Sequence, residues 1–241
     1  MNYCPTLLAG ISCFALCISA VPASAADSAS VSGRVLFEGT PPKPKVIDTR
    51  ADPYCKLIHN DEPLHADGAA IGPDGEFADI FVWIDNPPGG NFPVPNKPAE
   101  LDQYGCRYSK HVFGMRAGQV FSISNSDDTT HNVRGFPKNN RPFNFGQPPK
   151  IAPRTRLIEE AEFPMKIKCD VHPWMVAFCF VMDHPFYAVT GEDGRYTIEG
   201  MPAGTYTIKA WHDRLGELET EIAIDGIDAE VPPLVFRRVE K

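Results

Sequence analysis

Prolines are scattered along the whole chain, 24 of them in 241 residues, and that spacing leaves little room for long helices. A proline inside a helix removes a backbone hydrogen bond and collides with the preceding turn. No window shows sustained apolar spacing at 3.6 residues. Short β-branched and aromatic runs bounded by turn residues recur instead. Strands are expected over Val31–Phe37, Ala78–Ile84, Gln119–Ser124, Arg154–Ile158, Met165–Lys168, Met175–Met182, Arg195–Ile198 and Tyr206–Trp211. The class is therefore all-β. The run from Met175 to Met182 is apolar on both faces, which calls for an internal strand covered on both sides. Stretches 41–45, 87–98 and 137–153 are proline-rich and read as loops; the last is long enough to be functional or a lid.

The N-terminus is a separate matter. Leu7 to Val21 is apolar and leads to Ala23-Ser24-Ala25, the small-x-small pattern of a signal peptide over residues 1–25, cleaved after Ala25. The stretch is short for a membrane span, and no other stretch is apolar enough to test as one. Cleavage removes Cys4, Cys13 and Cys17 and leaves Cys55, Cys106, Cys169 and Cys179 in an exported, periplasmic setting where disulfides persist. The net charge of −8 argues against nucleic acid as the partner, because phosphate binding needs a basic surface. No nucleophile elbow, metalloprotease helix, phosphate loop or dinucleotide fingerprint is present. The adjacent pairs Asp127-Asp128 and Glu159-Glu160 turn to opposite faces of a strand and make poor acid–base pairs.

One constellation carries chemistry. Cys169, His172 and Met175 place a thiolate, an imidazole and a thioether within seven residues, and His131 in Thr130-His131-Asn132-Val133 offers a second imidazole. Two His, one Cys and a weak axial Met make up the ligand set of a blue-copper centre. Thiolate and thioether favour Cu(I), and imidazole holds either oxidation state. A short loop between two strands can present three of the ligands, with the fourth coming from the residues after Gln119–Ser124.

These residues resemble the cupredoxins, the amicyanin and plastocyanin kind, over roughly residues 100–183. Cys169-x-x-His172-x-x-Met175 has the amicyanin spacing, and Gly118 to Asn125 followed by Asp127 and His131-Asn132-Val133 is similar to the strand that leads into the first histidine. The resemblance implies a cupredoxin-like Greek-key sandwich. It implies one type 1 copper per chain on His131, Cys169 and His172 with Met175 axial, and Asn132 tying the first ligand strand to the Cys loop. It also implies one-electron transfer rather than enzymatic catalysis, through an exposed edge of His172. The redox partner would be a c-type cytochrome or a dehydrogenase, with Phe136, Pro173 and Trp174 as candidate docking residues. Lys110 and the 137–153 loop lie outside the pattern.

The two ends resemble a carboxypeptidase regulatory-like (transthyretin-like) sandwich. The resemblance rests on Gly33-Arg34-Val35-Leu36-Phe37, and on Asp193-Gly194-Arg195-Tyr196 followed by Pro202-Ala203-Gly204-Thr205-Tyr206. The expected organisation is a signal peptide at 1–25, first strands of that sandwich at 26–99, an inserted copper domain at 100–183, and the rest of the sandwich at 184–241.

Simpler roles stand beside these. Cys169 could instead bridge to Cys179 or Cys106. Cys55 and Cys106 have no ligand-like neighbours at metal spacing and are paired as a disulfide, which leaves Cys179 a buried thiol. His184 lies nine residues from Met175, roughly 30 Å along an extended strand, and is read as structural. His212 is read likewise, and His111 is divided between a core hydrogen bond and a place near the metal. His59 and His65 fit no zinc pattern. The alternative functions are copper delivery or storage, and a metal-free adhesion or carbohydrate-binding module.

Overall fold

The computed structural model describes Met1 and residues 28–68 and 70–238. The expected signal peptide, with Cys4, Cys13 and Cys17, lies outside the described residues. Among those described, no helix is long and apolar enough to cross a membrane.

Sixteen strands and one short helix are described. In chain order they are β1 (Ala29–Glu38), α1 (Pro53–Ile58), β2 (Phe81–Ile84), β3 (Ala99–Gln103), β4 (Val112–Arg116), β5 (Gln119–Asn125), β6 (His131–Phe136), β7 (Phe143–Gln147) and β8 (Arg154–Ile158). They continue as β9 (Glu162–Lys168), β10 (Val176–Met182), β11 (Tyr187–Val189), β12 (Arg195–Met201), β13 (Gly204–His212), β14 (Gly216–Ile224), β15 (Ala229–Glu230) and β16 (Leu234–Arg237). All eight expected strands are present. The 137–153 stretch is corrected: it contains β7, an edge strand paired with β6. Phe143 and Phe145 alternate there with small polar residues, and the guanidinium groups of Arg154 and Arg156 lie over their rings at 4.8–5.9 Å. Proline and asparagine on both sides hide that short period.

Four sheets stack as four layers. The outermost has the order β12-β1-β15, with β16 also on β1; the next is β11-β2-β13-β14; then come β4-β10-β9-β6-β7 and β3-β5-β8. The alternation along each strand decides which core its side chains enter. Val35, Val82, Ile198 and Ile208 fill the core between the first two layers. Phe121, Ile123, Val133, Met165 and Val181 fill the core between the last two. The strands from the two ends of the chain thus form one sandwich, and β3–β10 form the other.

The two sandwiches meet face to face through a third core. Phe81 and Trp83 of β2 turn toward Phe178, Phe180 and Met182 of β10, while the residues between them point the opposite way. Phe81 and Phe180 stack with ring centroids 3.9 Å apart. This is why the 175–182 run is apolar on both faces: every side chain of β10 after Val176 enters a core. Gly114 on the neighbouring strand is fixed by the same contact. A Cβ there would lie 2.2 Å from the Tyr187 ring.

Candidate metal centre

The two stretches that carry the expected ligands meet at one end of the second sandwich. β6 opens with His131, which follows the turn Asn125–Thr130. β9 ends at Lys168, and the loop to β10 begins with Cys169. That loop is curled by two backbone bonds: Met175 N–H to His172 O at 2.9 Å and Cys169 N–H to Met175 O at 3.2 Å. The curl turns His172 back toward Cys169 and puts Met175 in the same apolar core as Cys169. Ligand atoms of His131, Cys169 and His172 all lie within 4.8 Å of one another, and all three residues are buried. Cys169 and Cys179 are free thiols, and Cys55 is bridged to Cys106. The disulfide expectation therefore holds, and Cys169 is in no bridge.

Each imidazole is held by a carboxylate. His131 Nε2 lies 2.8 Å from Asp127 Oδ2, and His172 Nε2 lies 3.3 Å from Asp52 Oδ2. A carboxylate acceptor calls for a proton on Nε2, which turns the Nδ1 edge of both rings toward Cys169. Those two Nδ1 atoms face each other at 2.8 Å, and His172 Nδ1 is 3.8 Å from Cys169 Sγ. Two imidazole nitrogens and one sulfur, all able to bind a metal once deprotonated, thus converge on one buried point.

The acid–base properties express the same demand for positive charge. Burial would push the Cys169 thiol up. Hydrogen bonds from His131 and His172, and from the backbone N–H groups of Asn132 and His172 at 3.3 Å, outweigh burial and bring it down to about 6. Burial would lower His131, but its bonds to Asp127 and Cys169 raise it to about 9. Without a metal, a proton meets the demand. A soft cation suits the donor set better.

Supporting residues complete the site. Asn132 donates from Nδ2 to Asn144 Oδ1 at 2.6 Å and accepts the Asp170 N–H at 3.2 Å, so it joins β6, β7 and the ligand loop. Asp127 also accepts the N–H groups of Gly105 and Cys106 at 2.7 and 2.8 Å. These bonds outweigh burial and hold its carboxyl below the ordinary value.

The His172 edge corrects the sequence-based expectation. It is not an open docking edge: His172 is 1% exposed. The connection from β1 to β2 crosses over from the first sandwich and covers it. Asp52 caps α1, accepting the N–H groups of Tyr54 and Cys55 at 2.8 and 2.9 Å with one oxygen, while the other takes Thr129 Oγ1 and His172. The Cys55–Cys106 bridge pins this cap to the β3–β4 loop, and Cys55 Sγ sits 3.7 Å from His172 Nε2. Trp174 is half-buried and donates its indole N–H to Cys106 O at 2.9 Å, so it braces the cap. Pro173 is exposed beside it. Phe136 does not join them, because it closes the far end of β6, five residues from His131 and roughly 16 Å away at strand rise.

The remaining histidines stand apart. His111 bonds Val176 O at 3.2 Å, His184 accepts the Phe186 N–H at 3.2 Å, and His212 bonds Gly68 O at 3.1 Å. Asp52 and Asp127 carry roles that sequence reading missed. An Asp52-Pro53 pair is a helix-start signature that was there to be read; nothing local links Asp127 to an imidazole except its place four residues before His131.

No protein-family model matches the chain, and no curated protein matches it. Solved structures similar to part of it include a purple cupredoxin from Nitrosopumilus maritimus, at 21% identity over 35% of this chain and 99% of that one, with a TM-score of 0.30. An amicyanin variant in the Cu(I) state matches at 17% identity over 42% of this chain and 98% of that one, with a TM-score of 0.32. A copper-containing nitrite reductase from Thermus scotoductus SA-01 matches at 14% identity over 41% of this chain, which spans only 26% of that protein, with a TM-score of 0.34. Likeness at that level carries no functional assignment, and the centre stands on its own geometry.

Proposed function

We propose that this chain is an exported cupredoxin-like copper protein that carries one electron at a time. His131, Cys169 and His172 would be the strong ligands and Met175 the weak axial one. The observation behind this reading is the convergence of the Cys169 sulfur, whose thiol is held down to about 6, and two imidazole Nδ1 atoms on one buried point. Copper bound there would supply a reversible one-electron couple. The chain's own residues do the rest. Asp127 and Asp52 fix the orientation of the imidazoles, and Asp127 raises the basicity of His131. The two backbone N–H groups on Cys169 Sγ draw off thiolate charge, and the surrounding core keeps water out.

Four protein donors leave no open position, whereas catalytic metal sites usually keep one; we therefore read a carrier and not an enzyme. The Cys55–Cys106 bridge supports an oxidising compartment. The first sandwich we read as a carboxypeptidase regulatory-like scaffold. The closed cap over His172 weighs against copper delivery, because a delivered ion needs an open side. Copper titration of the purified protein tests the reading. One equivalent should produce an intense visible thiolate-to-copper band that is absent in Cys169→Ser; a band that survives in that variant overturns it.

A further inference from the structure

We propose that the electron partner is an acidic protein that docks on the outer face of β6 and β9, at the edge the first sandwich leaves uncovered, beside Cys169 and away from His172. This deepens the copper reading above and rests on it.

Residues directly opposite one another on neighbouring strands share a face. Asn144, Arg134, Lys168 and Val176 form one such row across β7, β6, β9 and β10. Phe136 and Lys166 begin the next, which ends on Phe178 in the core between the sandwiches. Two like charges, Arg134 and Lys168, therefore face each other across a strand pair, a placement that costs stability. Asp170, 3.6 Å from Arg134, offsets it in part. An unfavourable arrangement directly before a metal-ligand candidate points to use.

The face also has the mixed character of an interface. The Arg134 guanidinium lies over the Phe136 ring at 4.8 Å. Phe136 is 41% exposed, and Val171 in the ligand loop is 54% exposed. Arginine and aromatic side chains are the groups enriched where proteins meet.

The charge distribution selects the partner. Residues 99–182 carry 11 Lys and Arg against eight Asp and Glu, a net +3, in a chain of net −8, so the remainder carries −11. Such a dipole turns the basic sandwich toward an acidic protein and repels it from the other end. The path inward is short, since Lys168 precedes Cys169 and Asn132 N–H bonds its sulfur.

Hexacyanochromate(III), a redox-inert paramagnetic trianion, serves as the probe. Added to the 15N-labelled protein, with or without metal, it should broaden the amides of Arg134, Phe136, Lys166, Lys168 and Val171. The broadening should vanish in about 0.5 M salt and in the triple variant Arg134→Glu, Lys166→Glu, Lys168→Glu. With copper bound, the triple variant should be oxidised by ferricyanide about tenfold more slowly and by tris(phenanthroline)cobalt(III) faster. Glu217→Lys with Glu221→Lys, on β14 of the other sandwich, should change neither. Broadening spread over the whole surface or centred on Pro173 and Trp174 overturns the proposal. So do shifts of these amides with protein concentration alone, which would mean that the face binds a second copy. The salt dependence of the unaltered protein decides if the triple variant fails to fold. Because the broadening needs no metal, its failure is distinct from a failure to bind copper.

Discussion

The two sandwiches use the same strand alternation and spend their buried polar groups differently. In the first, buried His184 and His212 bond neighbouring backbone groups, and each has one adjacent carboxylate, Asp183 at 3.9 Å and Asp213 at 3.5 Å. In the second, Gln103, Asn125, Asp127, His131, Gln147 and His172 are buried together near one end. Gln103 bonds Gln147, Asn125 bonds the Gln147 carbonyl, and Asp127 bonds His131. Burying polar groups costs stability unless each is paired. Here the pairing is nearly complete, and it aims two imidazole nitrogens and one sulfur at one point. The comparison teaches where candidate chemistry sits in a pair of packed sandwiches: at the end where a buried polar network gathers around one thiol and two imidazoles. It also shows that the first sandwich is no bystander. Its β1–β2 connection supplies Asp52 and half of the disulfide that closes the site.

The halves share β2 and β10 through the central aromatic core, so the strongest way to break the comparison is there. Phe180→Ala removes the ring stacked on Phe81 and should cost about 3–5 kcal/mol. Thermal unfolding followed by circular dichroism should stay a single transition at lower temperature. Two separated transitions would show that the halves stand alone.

Cutting the cap comes next. The double variant Cys55→Ser, Cys106→Ser opens a loop of 51 residues and should cost about 4 kcal/mol in the chain-entropy account. The exchange of the His172 ring N–H with solvent should speed up strongly, while that of His212 in the first sandwich should not. Equal protection before and after would mean that the bridge does not hold the cap.

The smallest effect sharpens the role of Asp52. Removing its negative charge disfavours the more positive oxidised metal, so Asp52→Asn should raise the reduction potential by on the order of 60 mV, one tenfold step for a one-electron couple. Glu217→Gln on the first sandwich should leave the potential unchanged. Voltammetry that finds both shifts alike would remove Asp52 from the site.

Much of this was legible in the sequence where the signal is local. Period-2 runs such as Gln119–Ser124 and the two-faced run 175–182 became the strands they promised. The Cys169, His172 and Met175 spacing read as one loop because a single turn carries all three. What could not be read depends on distance along the chain. Asp52 reaches His172 across 120 residues, and no window holds both. β7 is hidden in the sequence because proline and asparagine flank its two phenylalanines, and its pairing with β6 and the β8 arginines over its rings exist only after folding. The open His172 edge was expected from resemblance, and the cap that closes it comes from a segment outside the matched stretch.

The most direct test is the electron paramagnetic resonance spectrum of the oxidised, copper-loaded protein. One copper per chain with a small parallel hyperfine splitting, lost in Cys169→Ser, is what a thiolate and two imidazoles around a single ion must give. A large splitting typical of nitrogen and oxygen ligands alone, or a spectrum that Cys169→Ser leaves untouched, would contradict the assignment of the centre.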